Sequence, residues 1–195
     1  MTKTDSLCGG VFHYEKLFLD LFMRMCYNTS TEIIRTEIIM FRELTRKKQQ
    51  LSDAECRVIL KQEVRGVLAV NGDGGYPYAL PINFYFDETK GKIYFHSGKV
   101  GHKLDAIERS DKVSFCVYDN GYHKDGHWSL NIRSVIVFGR IRIEKEWSDE
   151  LMVEFCKRFT DDNEYICSEI EKFKSSTVVL SLEIEHITGK LVNEA

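Results

Sequence analysis

Paired cysteines are missing from this 195-residue chain. Its six cysteines (Cys8, Cys26, Cys56, Cys116, Cys156 and Cys167) are scattered, and no two form a C-x-x-C motif. A zinc site needs clustered ligands and a disulfide framework belongs to small secreted domains, so reduced thiols are expected. Positive charge is not in excess either. A net charge of -3 with no basic domain excludes a nucleic-acid partner held mainly by phosphate neutralisation. No run reaches the roughly 18 apolar residues of a membrane span; "LFLDLFM" (17–23) is interrupted by Asp20 and closed by Arg24. No basic segment leads into an apolar run with a small-residue cleavage site, so a cytoplasmic protein without a secretory signal is expected. Repeats and low-complexity stretches are absent. Proline occurs only twice, at Pro77 and Pro81.

What is present is ordinary in bulk, with 43% hydrophobic and 29% charged residues. The length suits one domain with a sizeable core, or a domain plus an appendage. Residues 1–39 show no strand alternation and read as an N-terminal extension, helical or dispensable. Residues 40–195 read as the domain. "LSDAECRVILKQ" (51–62) carries a capping box, in which Ser52 accepts from the Glu55 amide and Glu55 reaches back. Strands are expected at 66–70, 76–86, 92–96, 112–118, 133–144 and 177–187, with hairpin connections at 71–75 and 87–92. Helices are expected at 102–109, 148–159 and 162–173. Six strands at short spacing with few helices between them point to a mainly β, antiparallel barrel with flanking helices, not a βαβ sheet.

Both prolines fall inside one strand pattern, "YPYALPINFYF" (76–86). Proline cannot donate to a ladder, so it marks an edge, a bulge or a strand start. The backbone beside Pro81 therefore has groups free to meet a planar heterocycle, or is an ordinary edge. The next strand ends in "HSGKVGHK" (96–103). Gly98 and Gly101 allow close approach and positive φ, Ser97 offers a hydroxyl, and His102 and Lys103 bring charge to a helix N-terminus. An anion fits this arrangement; a solvated turn that merely caps a helix fits it too. It is neither a Walker A loop nor a dinucleotide fingerprint. His123 and His127 in "YHKDGHW" (122–128) lie four apart, yet Gly126 between them and the lack of a third ligand in pattern argue against a metal. A mobile covering loop, with Tyr122 or Trp128 stacking on a ligand, is the preferred reading. His186 reads as structural.

In their order and spacing, "YPYALPINFYF", "IYFHSGKVGHKLDAI" and "RSVIVFGRIRI" resemble the flavin-binding proteins related to pyridoxamine 5'-phosphate oxidase, nearest to their nitroimidazole-resistance branch. The likeness runs over roughly residues 41–192 and includes "HITGKL". It implies a six-stranded FMN-binding split barrel that works as a homodimer, with both chains touching each flavin. By that resemblance Ala79, Leu80, Pro81, Ile82, Asn83 and Phe84 line the ring system. His96 and Ser97 stand where the family has a tyrosine–threonine pair, His102 and Lys103 where an arginine–lysine pair clamps the FMN phosphate, and Ser134 where a glutamine begins a later strand. Histidine at 102 removes a bidentate, permanently charged donor, and the residues that would hold a phosphorylated substrate have no match near the C-terminus. The implied activity is an FMN-dependent oxidoreductase. Its flavin would be reduced by NAD(P)H or another donor and would pass two electrons to a small-molecule acceptor such as a nitroaromatic. His96 is the implied catalytic residue, able to donate to a developing anion or deliver a proton near neutral pH. The alternative is a non-catalytic module for flavin or haem.

Overall fold

The computed structural model describes residues 41–193, and the expected extension at 1–39 lies outside them. Leu44–Ala195 forms a compact unit. Its strands are β1 (Gln50–Leu51), β2 (Arg65–Asn71), β3 (Pro77–Asn83), β4 (Tyr85–Asp87), β5 (Lys92–Gly98), β6 (Lys112–Tyr118), β7 (Tyr122–His123), β8 (Leu130–Glu144) and β9 (Thr177–Asn193). Its helices are α1 (Asp53–Gln62), α2 (His102–Arg109), α3 (Asp149–Cys156) and α4 (Asn163–Phe173). The strands form one antiparallel sheet in the order β3-β2-β6-β8-β9-β5-β4, with β1 on β9 and β7 on β8. Nine strands replace the expected six because two short pairings, β1 and β7, join the sheet and the run 76–86 divides in two.

That division falls at Phe84. Its amide donates to the Val64 carbonyl oxygen (3.1 Å) outside the ladder, and its fully buried ring packs edge-on against Phe115 with centroids 4.9 Å apart. Phe95 meets the same ring at 5.0 Å. Each such ring contributes about 1.5–3 kcal/mol by burial, so local strand continuity yields to the core. The expected helix at 148–159 is shorter, Asp149–Cys156, capped by the Ser148 hydroxyl accepting from the Leu151 amide. The capping box at Ser52 and Glu55 is present as expected.

Side chains alternate along β5: Ile93 and Phe95 point into the main core, whereas Tyr94 and His96 point out toward α3 and α4. On β3, Tyr78, Leu80 and Ile82 pack inward, leaving Pro77, Ala79 and Pro81 exposed. Two glycines let the long strands close. Opposite the β-bulge, where β9 carries Glu185 as the extra residue between the partners of Phe138 and Gly139, a Cβ on Gly139 would stand 2.0 Å from the Glu183 carbonyl oxygen. Gly189 lets α1 settle on β9, since a Cβ there would lie 2.3 Å from the Cys56 sulfur.

Candidate functional site

β3 ends the sheet and pairs only with β2, so its outer backbone edge has no strand partner among the described residues. The two prolines mark that edge, as their missing N–H groups require. Across the split from it stands the end of β5. Two hollows of about 400 Å³ each share His96 and Asn83 as a common wall. One is completed by Arg65, Pro81 and Ile82. The other opens between β5 and the α3–α4 pair and is walled mainly by Trp147, Met152, Phe155, Phe159, Ile170 and Phe173. Asn83 is fixed there because its side-chain oxygen accepts from Arg65 Nε at 2.8 Å.

His96 leans on Phe155, ring centroids 5.0 Å apart at 86°. One side of the imidazole meets solvent and the other is crowded by protein. Burial, with the Lys103 charge adding to it, pushes its pKa below the ordinary histidine value. That shift favours the neutral imidazole, which carries one N–H donor and one acceptor nitrogen.

The turn at 98–101 differs in detail from expectation. Gly101 has φ +139° as N-cap of α2, but Gly98 ends β5 without a positive φ. Ser97 is buried and its hydroxyl donates to the Gly98 carbonyl oxygen (3.0 Å), so it is already engaged. His102 stacks on Tyr78 with centroids 4.2 Å apart, and its Nε2 lies 3.2 Å from Asp73 Oδ2. Asp73 also binds Arg109 at 2.6 Å. The stack ties the start of α2 to β3, while the carboxylate occupies the imidazole. Lys103 is half-buried and has no ion-pair or hydrogen-bond partner among the described residues. Its amide and that of His102 are free of helical partners, as at any helix start.

Of the sequence-derived residues, Pro81, Ile82, Asn83 and His96 share one hollow, and His102 and Lys103 begin the helix tied to β3. Ala79 and Leu80 are on the same strand with opposite facings. Phe84 has its amide committed to Val64 and its ring in the core. Ser134 lines neither hollow; its hydroxyl faces the Lys190 carbonyl oxygen at 3.4 Å. Register nevertheless places Ser134 on the outer face that Pro81 and Ala79 share. Cross-strand rows run Pro81–Val67–Cys116–Ile136–Thr188 and Ala79–Ala69–Ser114–Phe138–His186, with Tyr118–Ser134–Lys190 beside them. The loop at 122–128 is pinned by β7 and by His123 Nδ1, 3.2 Å from the Ser129 carbonyl oxygen. Trp128 is 79% exposed and stacks on no ring among the described residues. No cluster of metal-ligating side chains occurs among the described residues, and none of their helices is long and apolar enough to cross a membrane. The sequence signals helices at 148–159 and 162–173 but nothing of the α3–α4 wall that they build around His96.

Residues 52–191 match the family described as pyridoxamine 5'-phosphate oxidase. No curated protein sequence matches the chain. Among solved structures, it is similar to a proposed 5-nitroimidazole antibiotic resistance protein from Bacteroides thetaiotaomicron. That match has 17% identity and a TM-score of 0.60, covering 74% of this chain and 87% of that one. An FAD and haem binding protein from Mycobacterium smegmatis matches at 20% identity and TM-score 0.58, over 75% and 74% of the two chains. An FAD-binding protein from Mesorhizobium loti matches at 22% identity and TM-score 0.52, over 74% and 97%. At such identities the shared property is the fold, a curled antiparallel half-barrel flanked by helices.

Proposed function

This chain belongs to the pyridoxamine 5'-phosphate oxidase family, and from that premise we propose that it is an FMN-binding oxidoreductase acting on a small-molecule electron acceptor, with nitroaromatic compounds as candidate substrates. The observation that carries the reading is the shared hollow. Pro81 and Asn83 from the unpaired edge strand and His96 from β5 enclose one space, and the Tyr78–His102 stack holds a helix start beside that same strand.

The residues fit such a group. A flavin ring offers both donors and acceptors, and the outer edge of β3 from Ala79 to Asn83 offers both in return. A phosphate would take Lys103 and the free amides at the start of α2. His102 is the weaker partner, since Asp73 already holds it. When bound, the flavin supplies the two-electron chemistry, and the protein supplies orientation and polarity. Arg65 fixes Asn83, β3 sets the plane in which a ring can lie, and neutral His96 presents one hydrogen-bonding nitrogen at the border of the two hollows. NAD(P)H is the proposed reductant.

A second copy of the chain is part of the proposal. The outer rows from Pro81 to Thr188 and from Ala79 to His186 carry no Lys, Arg, Asp or Glu, and Ile136 and Phe138 are 38% and 36% exposed upon them. Such a face suits a homodimer, which would bring Ser134 of one copy toward the flavin of the other. The test is an absorption spectrum of the purified protein before and after added FMN. Two broad flavin bands that bleach on anaerobic reduction are expected, and a colourless protein that takes up no FMN refutes the reading. A haem-binding module without turnover is the second reading, favoured by a neutral imidazole facing aromatic walls. A sharp, intense near-ultraviolet band would identify it.

A further inference from the structure

We propose that the hollow between β5 and the α3–α4 pair binds a neutral, planar aromatic small molecule and rejects phosphorylated or otherwise anionic ones. The assignment of this hollow to the substrate side rests on the flavin reading above; the binding preference itself does not.

The walls carry the argument. Phe155, Met152 and Ile170 form a floor that is 2%, 8% and 9% exposed, and Phe159 and Phe173 stand at the rim, 47% and 46% exposed. Trp147 closes one side. Aromatic rings on several sides favour a flat ligand through offset and edge-on contacts, and a space of about 400 Å³ suits one or two fused rings. Charge decides against an anion. Lys174 is the lining cation, and it is already spent on Asp149 at 2.5 Å while its ammonium lies over the Trp147 ring at 5.6 Å. Glu169 lines the same space and adds negative charge, only partly offset by Lys172 at 3.3 Å. Asn83, Ser176 and Thr177 supply neutral hydrogen-bonding groups, and His96 stands at the border with the first hollow. An incoming phosphate would lose its hydration and find no unpaired cation along this lining, a cost that apolar contact would not offset.

The matched pair 1-naphthol and 1-naphthyl phosphate tests this by isothermal titration calorimetry on the full-length protein, with and without added FMN. The expected result is saturable binding of 1-naphthol and at least tenfold weaker binding of 1-naphthyl phosphate. Phe159→Ala and Phe173→Ala, both at the exposed rim, should each weaken 1-naphthol at least fivefold with circular dichroism unchanged. Equal or tighter binding of the phosphate overturns the proposal. So do rim variants that bind 1-naphthol like the parent, or stoichiometric uptake of haem that blocks it. The two readings fail separately: 1-naphthol binding without FMN uptake leaves this inference standing and sinks the flavin assignment, whereas FMN uptake without 1-naphthol binding does the reverse.

Discussion

Replacing Lys103 with alanine tests the proposed phosphate grip. The side chain is half-buried and unpaired among the described residues, so an anion there need not displace an existing partner. A hydrogen bond to a charged group contributes about 1.5–3 kcal/mol, and about 1.4 kcal/mol is a tenfold change in Kd. Lys103→Ala should therefore weaken FMN binding by about 10- to 150-fold. Lys99 provides the control. It follows β5, is exposed, and is bounded by the median of exposed ion pairs, about 0–1 kcal/mol. Lys99→Ala should shift Kd by less than about fivefold, and by less still in salt. Quenching of FMN fluorescence on titration with protein, at fixed ionic strength, reads both. If Lys103→Ala binds within twofold of the parent, or the two variants lose equally, the phosphate does not sit at the start of α2.

Asp73→Asn should tighten FMN binding, because it removes a carboxylate that both occupies His102 and repels a phosphate; weaker binding by the same titration would mean that orienting His102 matters more than freeing it. His96 is held below the ordinary value near 6.5 by burial first and Lys103 second. The unfolded chain therefore binds more protons than the folded one as pH falls below about 6.5, and the stability contribution present above that value is lost on acidification. His96→Gln should flatten that part of the decline in urea midpoints, and an unchanged slope counts against it. In a separate pH titration of the folded protein followed by proton NMR, Lys103→Met should raise the His96 midpoint without restoring it fully. Gly189→Ala should cost about 1–3 kcal/mol by overpacking, with part recovered by adding Cys56→Ala, since the Cys56 sulfur is the nearest obstruction; additive losses in denaturant would refute that contact. If the proposed dimer forms through this face, Ile136→Glu should give a monomer in light scattering and weaken FMN binding together, and a charged variant that is dimeric would move the interface elsewhere.

The fold is legible in the sequence wherever a residue's role is decided locally. Helix α2 spans the expected residues 102–109 because Gly101 supplies the N-cap conformation and Leu104, Ala106 and Ile107 supply one buried face. Strand β6 likewise occupies 112–118, its alternation matching a half-buried strand. Legibility fails where partners lie far along the chain. Nothing within 76–86 announces a break at Phe84, since the Val64 carbonyl and the Phe115 ring that cause it belong to other elements. β1 and β7 are two residues each and exist only through β9 and β8. The need for glycine at 139 follows from a backbone oxygen on Glu183, 44 residues away, beside the bulge that β9 makes at Glu185.

The candidate site divides along the same line. Pro81 and the run from His96 to Lys103 stand out because proline and glycine constrain the backbone directly, and because basic residues at a helix start have one obvious electrostatic use. What spacing does not reveal is how those groups are already spent. His102 looks like a free cation until Asp73 and Tyr78 arrive beside it, and Ser97 looks like a free donor until its own strand turns the Gly98 carbonyl toward it. His96 looks like an ordinary imidazole until Phe155, brought by a helix that follows β8, crowds one side of the ring and burial lowers its pKa. Lys103 gains by the same comparison. With His102 engaged, it is the side chain of that turn left half-buried and unpaired, so the electrostatic case for an anion narrows from a cluster to one residue and two backbone amides. A ligand held that way is sensitive to salt and to a single substitution, and a permanently charged arginine at position 102 would have hidden both.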